Sequence, residues 1–195
     1  DGPAWLAFDA DVDGDALQAV LARWPRLRLT EARGAAPGWR VLRIDEAPDE
    51  PGNLVTPSAV FDGLTLEAVA GGPACDALPP EPDLMCAAGD DTLDLALRWR
   101  VEAPQGRDWT AFAHLVAADG RTIAQHDGVP LAGTLPTSLW RAGDGVVDRF
   151  VLRLPAAMPA GGATLRVGWY DPASGARLGL MGDDDGAAEV ARVAP

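Results

Sequence analysis

Leu93-Asp94-Leu95-Ala96-Leu97-Arg98-Trp99-Arg100-Val101 carries a large apolar side chain at every second position. Successive side chains of an extended strand point to opposite faces, so this spacing predicts a long strand with one face in a core and one in water. The same period of two runs outward in both directions. Upstream, Leu64, Leu66 and Ala68 are expected to share one face, with Thr65 and Glu67 on the other. Downstream, residues 108–140 read as a strand, a tight turn at Asp119-Gly120, a second strand, and a Gly/Pro-rich crossing loop ending on Thr137-Ser138-Leu139-Trp140. Further strands are predicted over residues 146–154, 164–170, 176–181 and 188–193, separated by Pro155, Pro159, Gly161-Gly162, Asp171-Pro172 and the Asp-rich segment 182–186. About eight strands at short spacing, with no second helical pattern, predict a mainly β fold. The expected architecture over residues 60–195 is an antiparallel β-sandwich, immunoglobulin-like or jelly-roll-like.

The N-terminal stretch reads differently. Residues 4–8 form an apolar run consistent with a buried strand. Ala16, Leu17, Val20, Leu21 and Trp24 then recur at helical spacing until Pro25 stops the pattern. Residues 26–30 and 39–44 alternate again. Residues 1–45 are therefore expected to form a small β-α-β-β lobe, whose single short helix needs a packing partner to be stable. Residues 46–59, with Pro48, Pro51, Gly52, Pro57 and a cluster of charges, have the composition of a linker.

Charge excludes two classes of partner. A net charge of -13 opposes both nucleic acid and anionic lipid head groups, which require clustered basic residues. All sixteen basic residues are Arg, a bias that points to GC-rich bacterial coding rather than to chemistry. No run of about 18 apolar residues is present, so no membrane-spanning helix is expected within the chain. Asp1-Gly2-Pro3 carries neither an initiator Met nor a signal-peptide pattern, so a processed product or a soluble fragment of a larger protein is expected. Cys75 and Cys86 bracket a Pro-rich loop and are expected to form a disulfide. Closing so short a loop would contribute about 2.5–3 kcal/mol in the chain-entropy model, and it would place the protein outside the reducing cytoplasm. Two unrelated buried thiols are the alternative.

Several constellations could carry chemistry. Asp9, Asp11, Asp13 and Gly14 match the first half of a calcium-binding loop, in which oxygens at alternate positions surround a hard cation. The twelfth position, which should supply a bidentate Glu, is Val20, so helix capping by these carboxylates is the stronger expectation and no cofactor is required. Ser58, Ser138 and Ser174 lie in no Gly-x-Ser-x-Gly elbow, which argues against a hydrolytic triad. The histidines, His114 and His126, flank the Asp119-Gly120 turn. A two-residue turn would place His114 opposite Gln125 and His126 opposite Ala113, on opposite faces; a bulged three-residue loop would let both share a face. Paired carboxylates for glycoside hydrolysis remain open in so Asp-rich a chain, although most of these residues occupy turns. Trp99 and Trp169 have core parity, whereas Trp109, Trp140, Tyr170 and Asp171 lie at strand ends. Together with the histidines, these four residues are the candidate ligand-binding set, because exposed aromatic faces stack on sugar rings while polar neighbours orient them.

A longer pattern runs through the same residues. It consists of Phe61-Asp62-Gly63-Leu64-Thr65-Leu66, Trp99-Arg100, Phe112-Ala113-His114-Leu115-Val116-Ala117-Ala118-Asp119-Gly120 and Ala124-Gln125-His126-Asp127-Gly128-Val129-Pro130. It continues with Gly133-Thr134-Leu135-Pro136-Thr137-Ser138-Leu139-Trp140, Asp148, Pro159-Ala160-Gly161, Val167-Gly168-Trp169-Tyr170-Asp171, Gly175 and Arg177-Leu178. Over roughly residues 60 to 181 this resembles the C-terminal extracytoplasmic domain of bacterial membrane glycosyltransferases of the dolichyl-phosphate-mannose-dependent protein mannosyltransferase-like superfamily. The resemblance implies a non-catalytic accessory domain outside the cytoplasmic membrane, tethered to the membrane-embedded remainder of the same polypeptide. Catalysis in that family is carried by loops between transmembrane helices, so the resemblance implies no catalytic residue here. Glycan or partner binding is the expected role. The alternatives are a free-standing secreted carbohydrate-binding or adhesion module, and a small hydrolase using Asp and His.

Overall fold

The alternating stretch 93–101 lies at the centre of a sheet. The computed structural model describes residues 4–9, 11, 16, 28–36, 39–44, 53–57, 59–72, 84–87 and 91–195. In chain order the strands are β1 (Ala4–Asp9), β2 (Arg28–Ala36), β3 (Trp39–Ile44), β4 (Asn53–Val55), β5 (Ala59–Phe61), β6 (Leu64–Gly71) and β7 (Leu84–Cys86). They continue with β8 (Thr92–Val101), β9 (Thr110–Ala117), β10 (Thr122–Gly128), β11 (Gly145–Arg153), β12 (Ala163–Tyr170) and β13 (Ala187–Ala194). The first sheet runs β1-β3-β2-β11-β8-β6-β4, with β5 paired to β6; the second runs β10-β9-β12-β13-β7. They pack face to face around one core, so the molecule is the mainly β sandwich that the alternation predicts. Pairing is antiparallel except where β2 meets β11 and β7 meets β13.

Strands β1, β2 and β3, read in sequence as part of an N-terminal lobe, extend the first sheet through two residue pairs, Arg28 with Gly145 and Leu29 with Val146. The predicted helix lies outside the described residues apart from Ala16. Asn53–Val55, within the stretch of linker composition, adds a short strand beside β6.

Leu93, Leu95, Leu97, Trp99 and Val101 are all buried, as their parity requires. Strand β6 departs from simple alternation. An irregularity between Leu66 and Ala68 leaves Glu67 unpaired, so Leu64, Leu66 and Val69 face the main core. Ala68 was expected on that face, but one inserted residue exchanges the two sides of a strand. In the interior Trp99 meets Trp169 edge-on at 4.8 Å, and Trp140 meets Trp169 at 5.7 Å.

Residues 176–181 are not the strand predicted for them. They cross from one sheet to the other: Leu178 N–H donates to the Trp169 carbonyl, and Met181 N–H donates to the Val60 carbonyl. Isolated bridges join Arg177 to Tyr170 and Leu180 to Phe61. A segment that changes sheets midway cannot keep a ladder with either, so it acts as a strap across the sandwich.

The crossing from β10 to β11 is tied down at several points. Trp140 Nε1 donates to the Leu135 carbonyl at 3.1 Å. Thr137 Oγ1 accepts from Trp109 N–H at 2.8 Å and donates to the Arg107 carbonyl at 2.9 Å. Within the 3-10 turn Pro130–Gly133, Leu131 adopts φ +51, a conformation that a non-glycine residue holds only when its surroundings impose it. The anchor is Asp148 of β11, whose Oδ1 accepts Leu131 N–H at 3.0 Å. Burial pushes the Asp148 carboxyl up to about 7, against the smaller opposing effect of bonds from the Leu131 and Arg149 amides.

Candidate functional site

Hairpin β9–β10 settles where the two histidines point. Gly120 N–H donates to the Ala117 carbonyl and Ala117 N–H to the Arg121 carbonyl, so the loop comprises residues 118–120, with Gly120 at φ +84. That three-residue loop would slip the register by one. A second irregularity between Thr122 and Ala124 slips it back, and His114 opposes Gln125 while His126 opposes Ala113. The histidines therefore occupy opposite faces. Arg121 donates to Asp119 at the loop, and these bonds hold the Asp119 carboxyl below its ordinary range.

His126 is on the inward face at the edge of the second sheet. Its Nδ1 lies 3.1 Å from the Val151 carbonyl and 3.4 Å from the Val151 amide, and its ring meets Phe150 edge-on at 5.1 Å. Strand β11 pairs with β2 at Gly145 and Val146, and this imidazole bonds the same strand farther along, at Val151.

His114 is on the outward face. Its Nε2 lies 2.8 Å from Asp127 Oδ1, and the half-exposed Tyr170 hydroxyl bonds the same carboxylate. Partial burial raises the Tyr170 hydroxyl, with further contributions from the charge of Asp127 and its bond to the hydroxyl. Phe112 sits between them, its ring 4.8 Å from that of His114 and 6.4 Å from that of Tyr170. Although it is on the outward face, Phe112 is only 2% exposed. Gly168 opposes it on β12, where a Cβ would lie 2.6 Å from the Phe112 ring and 2.5 Å from the Gly186 carbonyl oxygen. The absent side chain makes room for the ring. Arg177 of the strap covers it, with the guanidinium 4.3 Å from the ring centroid. Arg166, opposite His114, is held by Asp185 at 2.7 Å and more loosely by Glu189 at 3.9 Å.

Of the residues singled out in sequence, His114 and Tyr170 thus come together through Asp127. Trp109 and Asp171 form a second group: Arg107 stacks over the Trp109 ring at 5.4 Å and bonds Asp171 Oδ2 at 3.0 Å. The Asp171 carboxyl is lowered, chiefly by the Ala173 amide in the turn that follows β12. Two members of the candidate set do not belong to this face. Trp140, 1% exposed, is part of the core, where its ring meets Trp169 and its Nε1 donates to the Leu135 carbonyl. His126 points inward for the register reason given above.

The calcium-like loop is described only in part. Asp11 N–H donates to Asp9 Oδ1 at 3.0 Å, a local turn bond, and Asp13 lies outside the described residues. Among the described residues no group of three or more His, Cys, Asp or Glu could hold a metal. Cys86 of β7 is disulfide-bonded; Cys75, the other cysteine of the chain, lies outside the described residues.

Sequence reasoning did not select Asp127, Phe112 or Arg177 as site residues. The parity of β10 could have found Asp127, since Gln125 and Asp127 share the face that carries Phe112 and His114. Nothing local could have found Arg177, which a bridge between distant segments delivers. No family model matches the chain, and no curated protein does.

Proposed function

We propose that this chain is a non-catalytic extracytoplasmic accessory domain of a membrane glycosyltransferase, binding glycan on the outward face of its second sheet. One observation carries the reading. Phe112, His114, Asp127, Tyr170 and Arg177 are spread over four separate pieces of the motif string that resembles that family, and they converge in one surface cluster. A carboxylate already oriented by a hydroxyl and an imidazole, beside stacked aromatic and guanidinium groups, suits recognition of hydroxyl-rich rings. The bonded Cys86 supports a location outside the reducing cytoplasm. Among the described residues no helix is long and apolar enough to cross a membrane.

A glycan array probed with the chain tests binding, and His114→Ala should abolish the signal without unfolding the protein. Uniformly blank spots would reduce the domain to a structural tail. The reading frame upstream of Asp1 tests the parentage: eight or more hydrophobic spans are expected, whereas a signal peptide would make the chain a free-standing secreted module.

A further inference from the structure

The binding face contains a cation that the acidic surface does not neutralise. Arg100, Arg107, Arg121, Arg141 and Arg166 are each held by a carboxylate. Among the described residues no carboxylate pairs with Arg177, whose guanidinium is exposed above Phe112. Its stem is packed where the chain passes Gly186, since a Cβ at that glycine would lie 2.9 Å from Arg177 Cβ. A guanidinium presents five donors in a fixed plane, and fixing it beforehand lowers the ordering cost of binding. In a chain of net charge -13, such a group is a specific address for an anion.

The neighbours restrict which anion. Tyr170 lies directly across the bridge from Arg177, and its hydroxyl bonds Asp127, which also bonds His114. Asp127 retains lone pairs for ring hydroxyls, and with Nε2–H directed at the carboxylate the second His114 nitrogen is an acceptor for another. The same carboxylate repels a ligand carrying dense negative charge, such as a phosphate. We infer that the cluster around Phe112 recognises an acidic saccharide, a uronate-type ring whose single carboxylate engages Arg177 while its hydroxyls engage Asp127 and His114. This specification rests on the glycan-binding reading above.

The test is calorimetric titration of the chain with a trimer of galacturonate, with the fully methyl-esterified trimer, and with inorganic phosphate. The acid should bind at least about tenfold more tightly than the ester, the difference that one charged hydrogen bond supplies. That preference should shrink as salt rises, and Arg177→Gln, with an unchanged unfolding temperature, should erase it. Equal binding of acid and ester would overturn the charge assignment and leave the glycan reading standing. No binding of either trimer would overturn the uronate assignment, and the glycan array then decides the wider reading. Phosphate binding as well as the acid would make this a general anion site and overturn the saccharide assignment. The acid-to-ester comparison uses the unaltered protein, so it decides the matter even if the variant misfolds.

Discussion

The two faces of hairpin β9–β10 carry the same residue type in different roles. On the inward face His126 bonds the backbone of β11 and rests against Phe150, so its partners belong to the opposite sheet. On the outward face His114 bonds Asp127 of its own sheet and stacks on Phe112. The inward imidazole joins two layers of the fold, and the outward one equips a surface. Role follows from parity, and parity follows from two irregularities in one hairpin that cancel.

The contrast predicts a hierarchy of effects. The largest belongs to the fully inward Trp169, wedged between Trp99 and Trp140. Trp169→Ala should cost about 3–5 kcal/mol in urea unfolding, and a loss below about 1 kcal/mol would contradict its place at the centre of the core.

Asp148 should produce the next largest effect, and one that depends on pH. Its folded carboxyl is raised from 3.8 to about 7, so the folded state keeps a proton that the unfolded state releases. Its contribution is fully present below about pH 4 and is lost as the pH rises through about 7. Asn can still accept the Leu131 amide and cannot ionise. The stability of Asp148→Asn relative to the parent should therefore climb between these pH values, by up to roughly 4 kcal/mol, and level off above them. A difference that stays flat with pH would mean that the carboxylate is solvated or otherwise compensated.

The histidine pair should give the smallest effects and the sharpest contrast. His126→Ala should cost about 1 kcal/mol, from the lost edge bond and ring contact. His114→Ala should change stability by no more than about 0.5 kcal/mol, because its bond to Asp127 is partly exposed to water, while removing ligand binding. Equal losses from the two substitutions would dissolve the distinction between the faces.

Much of the fold was legible. The burial of Leu93, Leu95, Leu97, Trp99 and Val101 follows from alternation, and the core positions of Trp99 and Trp169 follow from the same count. Legibility failed wherever one residue was inserted or a partner came from afar. Glu67 shifts the inward side of β6 from Ala68 to Val69, a change invisible to a simple period of two. Residues 176–181 alternate like a strand but divide their bonds between two sheets. The candidate site was legible only in part: His114 and Tyr170 of the set read from sequence meet at Asp127, whereas Arg177 depends on the path of the strap and Trp140 is buried in the core.

The sequence by itself determined that this chain folds into sheets, where most strands begin and end, and which face of its longest strand is buried. Those are local consequences of side-chain alternation and turn chemistry. Only the tertiary structure decided which strands are neighbours, that the hairpin register is restored after its loop, and that Arg177 covers Phe112 beside Tyr170, Asp127 and His114. Register and partner choice minimise the free energy of the whole closed sandwich, in which a single inserted residue reverses a face and no short window of sequence contains both halves of a contact.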